Sequence, residues 1–133
     1  MSETDLMRDY IDAFNRRDLD GMTACLSENV AHHISEGGVV YGRVAYRAYL
    51  DHMLEHYRDE ARDVTLFTGP PGRVAAELVL HGRYLKEDDS GIPAKGQAYR
   101  VPVAILAEVD GGLFSRMTIH YNLSDWQRQL RKG

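Results

Sequence analysis

The stretch QAYRVPVAILAEVDGGLFSRMTIHYN (97–122) decides how the second half of the chain folds. Apolar residues occupy every second position over 101–105, which is the period of a β-strand. The turn DGG at 110–112 favours a tight hairpin, because glycine readily adopts positive φ. We therefore expect strands over 97–109 and 113–122, paired as an antiparallel hairpin.

Two more strands precede this hairpin. VTLFT (64–68) ends at the turn GPPG (69–72), and RVAAELVLHGRYLK (73–86) reads as a long strand. Pro102 lies inside a long strand, where proline is tolerated only at a sheet edge or a bulge. A bent antiparallel sheet is expected from this half of the chain.

The first half of the chain reads mainly as helix. Ser2 and Asp5 resemble a capping box, and Asp18 can cap a second helix. The expected elements are helices to Asn15, from Asp18 and over 43–58, strands at 30–34 and 39–41, and a last short helix at 124–130. Helices followed by a long sheet predict one α+β domain over residues 1–133, with the helices packed on one face.

Composition narrows the classes of partner. The net charge of −4 gives no basic face for nucleic acid. No apolar run is long enough for a membrane helix, and the acidic N-terminus MSETDLMRDY does not resemble a secretory signal. Cys25, the single cysteine, cannot form an internal disulfide, which fits a reducing compartment. We expect a cytoplasmic protein with small-molecule or protein partners, no nucleic acid and no membrane.

HMLEH (52–56) matches a zinc-protease pattern in which two histidines one helical turn apart bind the metal. At 100° per residue, His52 and His56 lie on the flank of the apolar stripe of their helix, while Glu55 points away. Enzymes with this pattern also need a third ligand on a later helix, and we expect no such ligand-bearing helix here. No metal site is expected.

The segments DYIDAFNRRDLDGMTACLSENVAHH (9–33) and YGRVAYRAYL (41–50), followed by the four-strand run, resemble the nuclear transport factor 2-like superfamily. It includes the ketosteroid isomerases and the SnoaL-like polyketide cyclases. The resemblance implies a cone-shaped α+β barrel, in which a strongly bent, mostly antiparallel sheet wraps the helices around an internal pocket. It also implies a small hydrophobic carbonyl-containing ligand and a homodimer formed through the outer face of the sheet. No cofactor is expected.

The residues typical of the two enzyme groups are matched only in part. By similarity to the isomerases, Tyr10 matches the oxyanion tyrosine, while the two acidic positions fall near Ile34 and Ile105. By similarity to the cyclases, NLSDWQRQL (122–130) matches a C-terminal pattern in which Asn122 replaces the catalytic aspartate. A carboxamide can hold a substrate oxygen but cannot transfer a proton near neutral pH.

Strand alternation then selects candidate residues. If Asn122 faces the pocket, as the resemblance implies, His120 shares its face, and His32 shares the face of Ile34. The catalytic hypothesis is proton abstraction next to a carbonyl by His120 or His32, with Tyr10 and Asn122 holding the oxygen. The expected substrate-binding residues that line the pocket are Tyr57, Tyr84 and Tyr99.

Three classes of function stay open at this point. An isomerase or cyclase-like enzyme predicts a base close to Tyr10 or Asn122 around one empty volume. A non-catalytic ligand-binding module predicts the pocket without that geometry. An assembly domain predicts a pocket filled by the protein's own side chains and an apolar dimer face.

Overall fold

The structure, a computed structural model, describes residues 2–35 and 37–133. These residues form four helices and six strands, which are, in chain order, α1 (Glu3–Asn15), α2 (Leu19–Ala24), β1 (Leu26–His33), β2 (Val39–Tyr41), α3 (Arg43–His56), β3 (Tyr57–Thr68), β4 (Arg73–Tyr84), β5 (Ala98–Asp110), β6 (Leu113–Tyr121) and α4 (Leu123–Lys132). The expected order of helices and strands is confirmed.

The first two helices begin where their capping residues predict. At α1, the Asp5 amide donates to Ser2 Oγ at 3.2 Å, and the Ser2 amide donates to Asp5 Oδ2 at 3.1 Å. This reciprocal pair is the predicted capping box. At α2, the Gly21 amide donates to Asp18 Oδ1 at 2.9 Å. Both caps satisfy amides that would otherwise lack a partner in the first helical turn.

The six strands form one sheet in the order β2-β1-β6-β5-β4-β3. All neighbours are antiparallel except β1 and β6, which are parallel. Register shifts interrupt β3 between Arg62 and Thr65 and β5 between Glu108 and Val109. Such bulges bend a sheet and increase its twist. The sheet curls around the helices without closing, and the predicted cone-shaped α+β fold is confirmed.

Several predicted boundaries were wrong. β3 begins at Tyr57 instead of residue 64, because its polar first half, YRDEARD (57–63), hides the strand period. β1 covers 26–33 instead of 30–34.

Of the two positions predicted for Pro102, a sheet edge or a bulge, the structure shows the edge. β5 pairs with β6 only from Val103 onward, so Pro102 lies where β5 has an unpaired edge.

The core lies between the helices and the concave face of the sheet. Leu26, Phe114 and Met117 of β1 and β6 are fully buried, and so is Met7 of α1. Alternate residues of β4 and β5 also face this core, as the period of two requires. Within the described residues, no helix combines the length and apolar composition needed to cross a membrane.

Candidate functional site

A cavity of about 290 Å³ opens at one end of the cone. Its walls come from β1, α3, the start of β3, β6, α4 and the loop that follows β4. Just over half of the lining residues are apolar or aromatic, and the polar ones come from β1 and the residues after it, from α3, from the loop after β4 and from α4. The lining residues are His32, His33, Ile34, Ser35, Tyr49, His52, Met53, Tyr57, Asp88, Asp89, Ser90, Ile119, Tyr121, Leu123, Trp126, Gln127 and Leu130.

His32 is the most buried ionisable residue on the cavity wall, with 3% of its surface exposed. Its ring stacks on Tyr46 with centroids 4.2 Å apart and meets Tyr49 edge-on at 4.6 Å. Burial lowers the pKa of His32, and the charge of neighbouring His33 lowers it further. A neutral imidazole is therefore present at neutral pH, and it can accept a proton.

Tyr10 lies one layer behind the cavity. Its hydroxyl lies 3.1 Å from the Tyr46 hydroxyl, and its ring packs edge-on against Phe114. Burial raises the pKa of both tyrosines, so both hydroxyls stay neutral. Tyr10 is not among the described residues that line the cavity, so the expected position next to a ligand oxygen is wrong. Tyr10 connects to the cavity wall through the Tyr46 hydroxyl, because the Tyr46 ring stacks on His32.

Tyr57 forms the opposite wall together with Asp88. The Tyr57 hydroxyl donates to one Asp88 oxygen, and the Tyr84 hydroxyl donates to the other at 3.0 Å. Burial raises the pKa of Asp88, but hydrogen bonds from Ser90, Tyr57 and Tyr84 outweigh it and lower the pKa overall. The carboxylate is thus ionised at neutral pH, and it fixes the loop after β4 against the sheet.

The other two predicted lining tyrosines do not line this cavity. Tyr84 is fully buried behind Tyr57, with ring centroids 5.7 Å apart. Tyr99 donates its hydroxyl to Asp59 and lines a separate cleft. Gly82 lies between Asp59 and Tyr99 in register, and a side chain there would meet both. Burial raises the pKa of Asp59 to about 6, although Tyr99 and Arg17 act against the shift.

Trp126 of α4 separates the cavity from that cleft. Its ring lies 5.0 Å from Tyr57, 5.5 Å from Tyr99 and 5.8 Å from Tyr121. Trp126, Asp88 and His52 also line the cavity, although the sequence did not predict them as cavity residues. Trp126 was detectable as the only tryptophan, on a helix that follows an inward-facing strand residue.

His120 and Asn122 lie on the other side of the sheet from His32, and the expectation that they face the pocket is wrong. His120 is exposed and lies opposite Ala104 on the convex face. β6 ends at Tyr121, which lines the cavity, so the residues on either side of it point outward. The Asn122 side chain is the N-cap of α4 and accepts the Asp125 amide at 2.9 Å. Neither His120 nor Asn122 is among the described residues that line the cavity.

The zinc-protease pattern also has a structural explanation. The rings of His52 and His56 stack with centroids 3.9 Å apart, and His56 Nδ1 lies 2.8 Å from the His52 carbonyl oxygen. Glu55 points away from both and pairs with Lys86. His56 is buried, not half-exposed as its flank position predicts. In residues 2–35 and 37–133, no three His, Cys, Asp or Glu side chains are placed to hold a metal ion.

Comparison with solved structures supports this architecture. The chain is 40% identical to a proposed polyketide cyclase of Xanthomonas campestris pv. campestris, with a TM-score of 0.91 over 96% of this chain and 95% of that one. It is 43% identical to a proposed polyketide cyclase of Silicibacter sp. TM1040, with a TM-score of 0.90 over 95% and 93% of the two chains. A protein of Catenulispora acidiphila with a ketosteroid isomerase-like fold matches over 97% and 93% at 14% identity and a TM-score of 0.77, which shows the fold alone.

No curated protein matches the chain. The SnoaL-like domain family matches residues 7–117, which is most of the chain. The cone, the cavity at its open end and this match agree with one another. The chain belongs to the SnoaL-like domain family.

Proposed function

We propose that the cavity binds a small, mostly apolar carbonyl compound and that His32 removes a proton next to the carbonyl. The observation that carries this proposal is His32 itself, a buried neutral imidazole on the wall of an otherwise largely apolar cavity. Such an imidazole can serve as general base near pH 7. The similarity to proposed polyketide cyclases supports the same class of substrate.

The size of the cavity limits the ligand to one or two rings. An engineered cavity of about 150 Å³ holds benzene, and pockets for drug-sized ligands begin at about 300 Å³. At about 290 Å³, this cavity has room for a bicyclic ketone but not for a four-ring skeleton. Steroid isomerisation is therefore not part of the proposal.

The hydrogen-bond donors that we propose for the substrate oxygen are side chains that line the cavity. Tyr10 and Asn122, the donors expected from the sequence, are engaged by Tyr46 and by the first turn of α4. Gln127 and His52 line the same cavity as His32 and carry N–H donors. Their N–H groups can stabilise an enolate oxygen as negative charge develops on it.

The sole tryptophan allows a direct binding test, because Trp126 lines the cavity. We choose 1-indanone as probe, a bicyclic ketone with exchangeable hydrogens next to its carbonyl. Saturable quenching of Trp126 fluorescence measures binding, and hydrogen–deuterium exchange of the probe in D2O, followed by NMR, measures proton abstraction. His32→Gln should slow exchange about 100-fold or more, since a positioned base contributes about 10²–10⁴.

His120→Gln is the matched control, because His120 is an exposed histidine on the opposite face of the sheet. It should bind and exchange the probe as the unaltered protein does. Equal losses in both variants, or exchange that His32→Gln leaves intact, would contradict the role of His32. No saturable quenching by 1-indanone would contradict the ligand class.

A non-catalytic binding module is the second candidate. Asn122 favours this candidate. It takes the place of the catalytic aspartate of the cyclases, and in this chain it serves as the N-cap of α4. This function predicts saturable binding of 1-indanone with exchange no faster than in buffer. Fluorescence and exchange, measured on one sample, separate the two candidates.

We also propose self-association through the convex face of the sheet. Phe67 and Leu106 lie in one cross-strand row with Ala75, and the two large side chains are 48% and 43% exposed. Burying these apolar side chains against a second copy would stabilise a dimer. Leu106→Lys should shift the mass measured by light scattering toward the monomer, while Leu85→Lys, an exposed leucine outside this row, should not.

A further inference from the structure

A second cleft, of about 650 Å³, lies on the other side of Trp126, at the ends of β3, β4 and β5. Its lining carries five arginines against two carboxylates, an excess of three positive charges in a chain whose net charge is −4. Clefts lined by one sign of charge concentrate ions of the opposite sign. The charged and titratable residues that line it are Arg17, Arg58, Asp59, Glu60, Arg62, His81, Arg83, Tyr99 and Arg100.

The strand register brings two arginines together and places a histidine beside a third arginine. Arg58 lies directly opposite Arg83 across β3 and β4, and His81 lies opposite Arg100 across β4 and β5. Like charges directly opposite each other destabilise a sheet. This arrangement destabilises the folded chain when nothing is bound. A bound anion would neutralise the positive charges, which explains why they lie together.

The arginines of this cleft differ in what they already bind. Arg62 pairs with Glu60, Arg17 donates to the carbonyls of Leu54 and Tyr57, and Arg83 donates to the Gly96 carbonyl. The guanidinium groups of Arg58 and Arg100 are exposed and make no hydrogen bond or ion pair with the described residues. These two groups have all their donors available for a ligand.

The backbone under Arg100 is held in place. The Arg100 amide donates to Gln129 Oε1 at 2.9 Å, and Gln129 Nε2 donates back to the Arg100 carbonyl at 2.8 Å. This pair of bonds replaces the missing strand neighbour at the unpaired edge of β5. The Arg100 side chain therefore projects from a fixed backbone, which lowers the entropic cost of ordering the site when a ligand binds.

We propose that this cleft is a second binding site, which takes a small molecule through a phosphate or carboxylate group held by Arg58 and Arg100. The planar fork of a guanidinium matches the oxygens of both groups, and its charge strengthens each hydrogen bond. The two guanidinium groups are the anchors of the site, and Arg83 and His81 lie between them in register. The site is separate from the cavity of His32 and does not depend on the function proposed for it.

The test is a titration of the protein with inorganic phosphate and, separately, with citrate, at low ionic strength. Backbone amide NMR signals follow each titration residue by residue. We expect saturable shifts centred on residues 58, 83 and 100, and the tighter of the two anions identifies the favoured group. The double variant Arg58→Gln, Arg100→Gln should weaken binding about tenfold or more, because it removes both charge-assisted contacts.

Arg73→Gln is the matched control, because Arg73 lies at the far end of β4 and pairs with Glu108. It should bind both anions like the unaltered protein. Shifts that never saturate, or that survive in the double variant, would overturn the site. A change from dimer to monomer in the double variant, without saturable anion binding, would also overturn it and identify the cleft as a contact between two copies.

Discussion

The two faces of the curved sheet carry different chemistry on neighbouring residues. On the concave face, Tyr121 lines the cavity next to Trp126, and His32 is buried against Tyr46. On the convex face, His120 is exposed to solvent. A histidine and a tyrosine adjacent in β6 thus meet opposite environments, because side chains alternate along a strand. The side of the sheet, more than the residue type, decides whether a histidine here is a candidate base.

The largest expected effect comes from filling space on the concave face. A Cβ at Gly82 would lie 2.1 Å from Asp59 Oδ1 and 2.3 Å from the Tyr99 ring. Gly82→Ala should therefore lower the free energy of unfolding by about 3 kcal/mol, which is the upper end of the usual cost of overpacking a core. Gly69→Ala, where the nearest atom lies 3.9 Å away, should change it by less than about 0.5 kcal/mol. Urea denaturation measures both, and equal effects would show that the concave face tolerates added volume.

The next effect depends on pH. The folded-state pKa of Asp59 is about 6, above the ordinary 3.8, so the folded protein gains stability relative to the unfolded chain as pH falls through that window. Asp59→Asn removes this dependence. At pH 7.5 we expect the variant to be more stable by about 1–2 kcal/mol, a value discounted because Asp59 is partly exposed.

Urea denaturation at pH 7.5 and pH 4 checks this prediction. The advantage of Asp59→Asn should disappear at pH 4, where the aspartate is protonated in the folded state. Asp51→Asn, on the exposed side of α3, is the control. An advantage of the same size at both pH values would mean that the cause is packing and not charge.

A smaller effect comes from the buried tyrosine pair. Tyr10→Phe leaves the Tyr46 hydroxyl without its 3.1 Å partner, and should cost about 1–1.5 kcal/mol of unfolding free energy. Tyr46→Phe should cost a similar amount. Because the double variant removes both polar groups, it should be less destabilised than the sum, with a coupling of about 1 kcal/mol. Strict additivity in urea denaturation would show that the two hydroxyls do not interact.

The smallest expected effect separates a cap from a catalytic residue. Asn122→Ala removes the acceptor of the Asp125 amide and should cost about 1 kcal/mol of stability. Asn122→Asp should restore the loss, since aspartate is an equally good N-cap. Exchange of 1-indanone, normalised to folded protein, should be the same in both variants. A selective loss of exchange in Asn122→Ala would place Asn122 in the reaction after all.

The fold could be predicted further than the site. Alternation over 101–105, the DGG turn and the capping residues Ser2 and Asp18 are local signals, and the structure confirms the elements they predict. The start of β3 was missed because its first half is polar, and nothing local marks a strand whose outer side is charged. The start of β3 is determined by its pairing with β4, which lies further along the chain.

The site depended on one residue that the sequence could not orient. Aligning Asn122 with a catalytic position implied an inward side chain, which placed His120 inward as well. Instead, His120 pairs with Ala104 on the convex face, and Asn122 lies beyond the end of β6 as the N-cap of α4. His32, assigned from the face of Ile34, lines the cavity with it, and so does His33 between them. Asp88 lies in an irregular loop, where no period indicates which way a side chain points.

The central claim is that the concave side of the cone holds the ligand and that His32 touches it. The direct test is the NMR signals of the six histidine rings during a titration with 1-indanone, assigned with His32→Gln and His120→Gln. We predict a saturable shift of the His32 ring and none of the His120 ring. An unmoved His32 ring under saturation, or a shift confined to His120, would contradict the account.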